Sequence, residues 1–446
     1  MSQPEIYAVV MLSLLLSWPI LAIAMAFIAS VPKPEPERPH AGTRNYWIII
    51  PALNEAMVIR YTVQAALALH SSGAPVRVMV VDDGSDDETP SVLDQIDDDR
   101  LHVIRRDLPD ARQGKGAAIN AGYQTIRAWA ISEGEVPSTV IGVLDGDGRI
   151  APDAIEYLID NLFTDPDVGG VQCRVHIKNR RRLLGLLQDV EFSCVANAAQ
   201  SFRDLVGSVG MGGNGQFVRL TDLMRLGERP WSSCLVEDLD LGLRLHLNGV
   251  RIRYCSAAAV DQQGVETVRQ LLRQRARWAQ GNMECLRYLP GLLRSRHIGT
   301  TGLLDFLAYL IAPWLTVPMS IVFGGVVMVV LAGLSTGNSF GGLIATGPEV
   351  PFAIEMWLAM IFLPGTIWAL WHRWRVGGEP MWRCLIAGLC YPFFLMFGVL
   401  ATWRGMVRHL VNKRAWAKTE RIQDTDVPAA IPAVASAPLS RTAPEG

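Results

Sequence analysis

The chain has 446 residues, of which 50% are hydrophobic and only 19% charged. That is too long for one small domain and too apolar for an ordinary soluble enzyme. Its 41 basic and 43 acidic residues nearly cancel, and a net charge of -2 supplies no field of the kind that gathers nucleic acid, so no nucleic-acid partner is expected. The seven cysteines are odd in number, scattered and never paired as C-x-x-C. They point away from a disulfide framework or a zinc site and toward reduced thiols in a cytosolic setting.

Ile6 to Ala29 is an uncharged apolar run. As a helix it would extend about 36 Å, enough to cross a hydrocarbon core of about 30 Å. Only Glu5 is charged ahead of it and no basic stretch precedes it, so residues 1–30 read as a transmembrane anchor rather than a cleaved leader. Residues 31–44 come next as a proline-rich linker whose Lys33, Arg38 and Arg44 place it on the cytoplasmic side.

Residues 45–287 have the composition of a globular α/β domain. Trp47 to Ile50, Val76 to Val81 and Thr139 to Leu144 read as buried strands, and Glu55 to Ser71 and Gly116 to Ser132 as helices between them. This rhythm predicts a mostly parallel sheet covered on both faces, with ligands at the carboxyl ends of its strands. Residues 288–302 read as an interfacial segment. Residues 303–411 hold three further apolar runs, Leu307 to Leu334, Phe352 to Trp371 and Cys384 to Trp403, which read as about three spans. Three spans would leave the basic residues Arg404, Arg408 and Lys413 outside, against the positive-inside tendency, so either one run is re-entrant or the first splits at Pro313 or Pro318. Residues 412–446 read as a basic and then disordered tail.

Five polar clusters stand where strands end or helices begin: Pro51 to Glu55, Asp82-Asp83-Gly84, Gly114-Lys115-Gly116, Asp145-Gly146-Asp147-Gly148 and Glu237-Asp238, the last trailed by Gln274-Arg-Ala-Arg-Trp278. Asp145 and Asp147, alternating at a strand end, suit Mg²⁺ or Mn²⁺ held together with a diphosphate, and Gly146 and Gly148 would leave room for a bulky ligand; a lone D-x-D is also a common turn. One acidic side chain after a strand, as at Asp82 or Asp83, can accept from a base or a ribose hydroxyl. Lys115 at a helix start can meet phosphate oxygens, although the spacing is not that of a P-loop. Glu237 and Asp238 either favour a helix N-terminus or include a general base. Arg269, Arg273, Arg275, Arg277 and Arg287 fit a basic interfacial helix, from which Arg277 can bind phosphate and Trp278 can stack on a sugar.

In this order the clusters resemble glycosyltransferase family 2, and within it the membrane-embedded synthases of cellulose, chitin, hyaluronan and poly-N-acetylglucosamine. The resemblance implies a GT-A-like nucleotide-sugar-binding domain with transmembrane helices at both ends, in the inner (plasma) membrane with its catalytic part cytosolic. It implies Asp238 as catalytic base, Ala52, Asn54, Glu55, Asp82, Asp83, Lys115 and Asp145 as donor-binding, and Asp147 with Asp145 as ligands of Mg²⁺ or Mn²⁺. Glu237, Gln274, Arg277, Trp278, Gly213, Asn214 and Gly215 would meet the diphosphate or the acceptor. The loop Gly212-Gly-Asn-Gly-Gln-Phe217 departs from the Phe-Cys-Gly-Ser form of cellulose synthases. The implied activity is inverting transfer from a nucleotide-sugar, UDP-linked by analogy, to a growing β-linked glycan. The alternatives are a non-processive transferase acting on a lipid carrier, or a transporter with a nucleotide-binding cytosolic domain.

Overall fold

The computed structural model describes residues 44–71, 75–336 and 350–413, together with Ala24. The anchor and linker expected before Arg44, and the tail from 414 onward, lie outside the described residues. Eight strands form one sheet: β1 Asn45–Ala52, β2 Arg77–Asp82, β3 Leu101–Arg105, β4 Thr139–Val143, β5 Arg149–Ile150, β6 Val168–Ile177, β7 Gln216–Arg219 and β8 Arg251–Gln262. Their order is β3-β2-β1-β4-β7-β6-β8-β5.

The β3-β2-β1-β4 half is parallel, as its helical crossovers require. The other half corrects the expectation of a mostly parallel sheet. Strand β7 runs antiparallel to both β4 and β6, and β5 runs antiparallel to β8, while β6 and β8 are parallel. The chain enters β7 from the turn at Gly212–Gly215 rather than from a crossover helix, so it arrives at the opposite end of the sheet.

Alternation along β1 divides the core in two. Tyr46, Ile48 and Ile50 pack on one face with Val63 and Val80, and Trp47 and Ile49 pack on the other with Ile119 and Tyr123. Helices α1 (Ile59–Leu67) and α2 (Lys115–Ser132) cover these opposite faces. Strand ends therefore converge on one rim, which is extended by α3 (Leu183–Val190), a π-helical turn at Glu191–Ala196, α4 (Asn197–Val206), α5 (Glu237–Leu247) and α6 (Val268–Cys285). A capping box at Thr267 and Gln270 fixes where α6 begins.

Among the described residues, three long apolar helices follow: α7 (Thr300–Thr336), α8 (Val350–Arg375) and α9 (Met381–Leu410). Helix α7 runs unbroken through Pro313 and Pro318, so the first apolar run does not split there. Among the described residues, Thr300–Gly325 and Met381–Leu410 are long and apolar enough to cross a membrane.

Asp189 ties this region to the α/β domain. Fully buried, it accepts from the Ile177 backbone N–H at 2.9 Å and the Ser193 hydroxyl at 2.7 Å, and meets His372 Nε2 of α8 at 2.6 Å. Burial alone would raise its carboxyl, but His176, His372 and Arg180 hold it well below the usual carboxylate range. Asp189→Leu should therefore destabilise the protein by on the order of 3 kcal/mol, because it strips partners from buried polar groups. Thermal unfolding of the purified protein measures this, and an unchanged midpoint would refute it.

Candidate active site

Most of the residues singled out in the sequence line one cavity of about 640 Å³ at the carboxyl rim of the sheet: Ala52, Glu55, Asp83, Lys115, Asp145, Gly213, Asn214, Glu237, Asp238 and, from α6, Gln274, Arg277 and Trp278. Stretches of chain far apart in sequence thus meet because β1, β2, β4 and the head of α5 lie at the same edge.

At one end, Asp83 pairs with Arg106, and burial raises its carboxyl despite that guanidinium. Asp82, Asn54, Asp147 and Gly215 do not line the cavity; they shape it. Asp82 Oδ1 accepts from the Ser85 N–H at 3.0 Å, and Asn54, with its backbone at a φ of 54°, exchanges hydrogen bonds with Asp86. Asp147 is 1% exposed, and its Oδ2 accepts from the Gln263 N–H at 2.8 Å, so only the first acid of the D-x-D pair faces the cavity. Gly146 lines the cavity, and a Cβ there would stand 2.9 Å from Glu55 Cγ, while a Cβ on Gly148 would stand 2.5 Å from Asn214 Oδ1.

Lys115 opens α2 and sits at the centre. Its Nζ donates to Asp145 Oδ1 at 2.5 Å and to the Gly213 carbonyl at 2.9 Å, with Glu237 Oε1 at 3.5 Å. Burial pulls the ammonium down, but Asp145 and Glu237 more than offset this and its pKa is raised. Asp238, next to Glu237, accepts from the Leu239 N–H at 2.8 Å. Burial first, and the charge of Glu237 second, push its carboxyl up to about 7 against the pull of Lys115. That is the range in which a carboxylate is an effective base.

The glycines of the loop before β7 have steric reasons. A Cβ on Gly213 would stand 2.8 Å from Lys115 Nζ and 3.2 Å from Asp238 Oδ2. Gly215 has a φ of 73°, and a Cβ there would strike Val260 at 2.5 Å. Gln172 holds this loop by accepting from the Gly212 N–H at 2.7 Å and donating to the Asn214 carbonyl at 2.9 Å.

At the far end, several residues that the sequence did not single out complete the wall. Arg275 forms a two-pronged pair with Glu191, one contact at 2.9 Å, while its guanidinium lies 4.5 Å from the Trp278 ring. Phe192 meets Trp278 edge-on at 6.2 Å. Glu191 and Phe192 belong to the π-helical turn, a geometry that often marks functional positions. Arg203 binds Asp305 of α7 at 3.0 Å and lies 4.5 Å from the Tyr309 ring. Arg112 lines the strand-end side. Of these, only Arg275 carried any signal in the sequence, as one of the arginines around Gln274 to Trp278.

Three carboxylates, Asp145, Glu237 and Asp238, surround the single ammonium of Lys115, and this acidic surplus with all-oxygen donors fits a hard divalent cation. Asp145 would be its ligand from the cavity, and Asp147, whose Oδ2 accepts from the Gln263 N–H, would join it only by turning into the cavity.

A family model described as "Glycosyltransferase like family 2" matches residues 44–281. The beta-monoglucosyldiacylglycerol synthase of Trichormus variabilis is 31% identical over 274 residues, 60% of this chain and 55% of that protein. The poly-beta-1,6-N-acetyl-D-glucosamine synthase of Staphylococcus aureus is 28% identical over 239 residues, 53% of this chain and 54% of that protein. The chain thus spans about half the length of the curated relatives it matches. Among solved structures, a mannosyltransferase from Pyrobaculum calidifontis in complex with GDP-Man and Mn²⁺ shares the fold, with a TM-score of 0.55 at 17% identity, covering 92% of this chain and 99% of that one. With the family model covering more than half of its residues, the chain belongs to glycosyltransferase family 2.

Proposed function

We propose that this enzyme transfers a sugar, with inversion, from a nucleoside-diphosphate donor to a hydroxyl of an acceptor held at a membrane surface. The observation that carries the reading is the place of Asp238. It stands in one cavity between the Asp83, Lys115 and Asp145 end, suited to a nucleotide, and the Trp278 end, whose wall includes Asp305, Phe306 and Tyr309 from the first turns of the apolar helix α7. An acceptor reaching Asp238 past those turns would come from the bilayer face.

In this reading Asp238 takes the proton of the acceptor hydroxyl as that oxygen attacks the anomeric carbon, and the bond to the diphosphate breaks on the opposite side. Lys115 and Arg277 offset the charge that grows on the departing diphosphate, and Trp278 orients a ring by stacking. A divalent cation held by Asp145 and Asp147 would supply further charge neutralisation at the diphosphate. One base suffices because no glycosyl-enzyme forms, unlike in retaining hydrolases.

Among the described residues, α8 and α9 contribute no side chain to the cavity wall. This favours single transfer to a lipid-held acceptor over extrusion of a growing chain, which needs a path lined by membrane helices. Product length with purified enzyme and a labelled nucleotide-sugar decides the point: ladders of increasing length would overturn single transfer.

Asp238→Asn should lower transfer by about a thousandfold while leaving nucleoside diphosphate affinity intact. Parallel loss of that affinity, measured by calorimetry, would remove Asp238 from the base role. Because a base must be ionised, kcat/KM should rise with pH through about 7 and level off above it. Glu237→Gln removes a charge that raises Asp238, so the rising limb should move to lower pH; an unmoved limb would contradict the pairing. Chelation of divalent cations, or Asp147→Ala, should weaken nucleoside diphosphate binding, and full transfer activity in chelator would rule out a metal role.

A further inference from the structure

Helix α9 has the length and composition of a membrane span, yet both its ends are fastened to the α/β domain. At its start, Arg383 donates to the backbone carbonyls of Arg180 at 2.8 Å and Arg181 at 2.7 Å, just beyond β6. Cys384, Ala387, Tyr391 and Phe394 then pack on Leu187 and Val190 of α3. At its end, Arg408 Nε donates to Gln280 Oε1 of α6 at 3.0 Å, and Gln280 Nε2 donates to the Lys413 carbonyl at 3.0 Å. Gly405 lies against α6 so closely that a Cβ would stand 2.9 Å from the Ala276 carbonyl.

A helix of 30 residues is about 45 Å long, and one that crosses a bilayer puts its two ends in different aqueous compartments about 30 Å apart. A single folded domain with polar surfaces cannot hold both. The face of α9 turned away from the domain carries an apolar row from end to end, and at Trp403 the indole N–H also donates to Ser320 of α7 at 2.9 Å. Trp382, Leu389, Met396, Trp403 and Leu410, spaced seven residues apart, are 62%, 52%, 60%, 37% and 72% exposed. The helix has no acidic residue and carries Arg383, Arg404 and Arg408, with Arg375 and Lys413 beside its ends.

We infer that α9 does not cross the membrane but lies along its cytoplasmic face, with the Trp382-to-Leu410 stripe sunk into one leaflet of an anionic bilayer. Indole rings suit the headgroup boundary, and the exposed Arg404 complements anionic lipid. The occupant is lipid rather than a second protein because α9 carries no acidic residue and its basic groups, Arg383 at one end and Arg404 and Arg408 at the other, border an uncharged apolar stripe. The arrangement also removes the conflict in the sequence, since Arg404, Arg408 and Lys413 stay on the side of the catalytic domain.

The full chain, with half-exposed Cys390 replaced by Ser, is reconstituted into phosphatidylglycerol and phosphatidylethanolamine vesicles; the other six cysteines are buried. Nitroxide is placed singly at Ile386→Cys, Phe393→Cys and Leu400→Cys, and depth is read from collisions with oxygen against a water-soluble nickel chelate. An in-plane helix gives the same shallow depth at all three sites. A spanning helix shifts depth by about 21 Å between positions 386 and 400 and overturns the inference. In a second arm, Lys413→Cys and Arg181→Cys should both react with an impermeant maleimide from the same side of the membrane, and reaction from opposite sides overturns it. Absence of any lipid-depth signal, with cross-linking between copies through Met396→Cys, would mean that another protein covers the stripe and would equally overturn it.

Discussion

The ammonium of Lys115 is gripped by groups from three separate stretches of chain: the carboxylate of Asp145 after β4, that of Glu237 at the head of α5 and the carbonyl of Gly213 before β7. Withdrawing such a charge from water costs several kcal/mol, and only well-placed partners offset that cost. Once they do, the lysine fixes the distance between the strand end, the glycine loop and the helix carrying Asp238. The raised carboxyl of Asp238 stems first from burial in the same place and then from the charge of Glu237, with Lys115 pulling against both. Cavity shape, base strength and an appetite for a cation are in this sense one electrostatic arrangement.

Aromatic and guanidinium groups shape the opposite wall. Trp278 is flanked by Arg275 over its ring and Phe192 at its edge, and Arg275 is itself braced by Glu191. A side chain restrained in this way loses little freedom when a ligand ring stacks on it, which lowers the entropic cost of binding. Glu191 and Arg275, which also line the cavity, thus brace Trp278.

Much of the donor side was legible in the sequence because its chemistry sits in short local patterns after β-branched runs. Asp83, Asp145, Lys115 and Asp238 each had a flanking strand or helix start that betrayed it, and all four line the cavity. Asp82 is turned from Asp83 because successive residues at a strand end point to opposite sides, and Asp147 is turned from Asp145 because the chain leaves β4 in a turn closed by the Gly148 N–H on the Asp145 carbonyl at 2.8 Å, details the D-D and D-x-D patterns do not encode. Glu191, Phe192 and Arg203 lay in a helical stretch without a motif, and Asp305 inside an apolar run, so only the tertiary fold brings them to the wall. The antiparallel entry of β7 escaped notice because four residues after a glycine cluster leave too short a pattern to read.

The π-helical turn at Glu191–Ala196 limits how this chain can vary among descendants. Such a turn is an α-helix carrying one surplus residue. Deleting any single residue between 191 and 196 would let the backbone bonds close in the ordinary register, rotating α3 by about 100° relative to α4. Asp189 would swing off His372 while Glu191 left Arg275, so α8 and the aromatic wall would come adrift together. Natural variants should therefore accept substitutions in this segment far more readily than changes in its length.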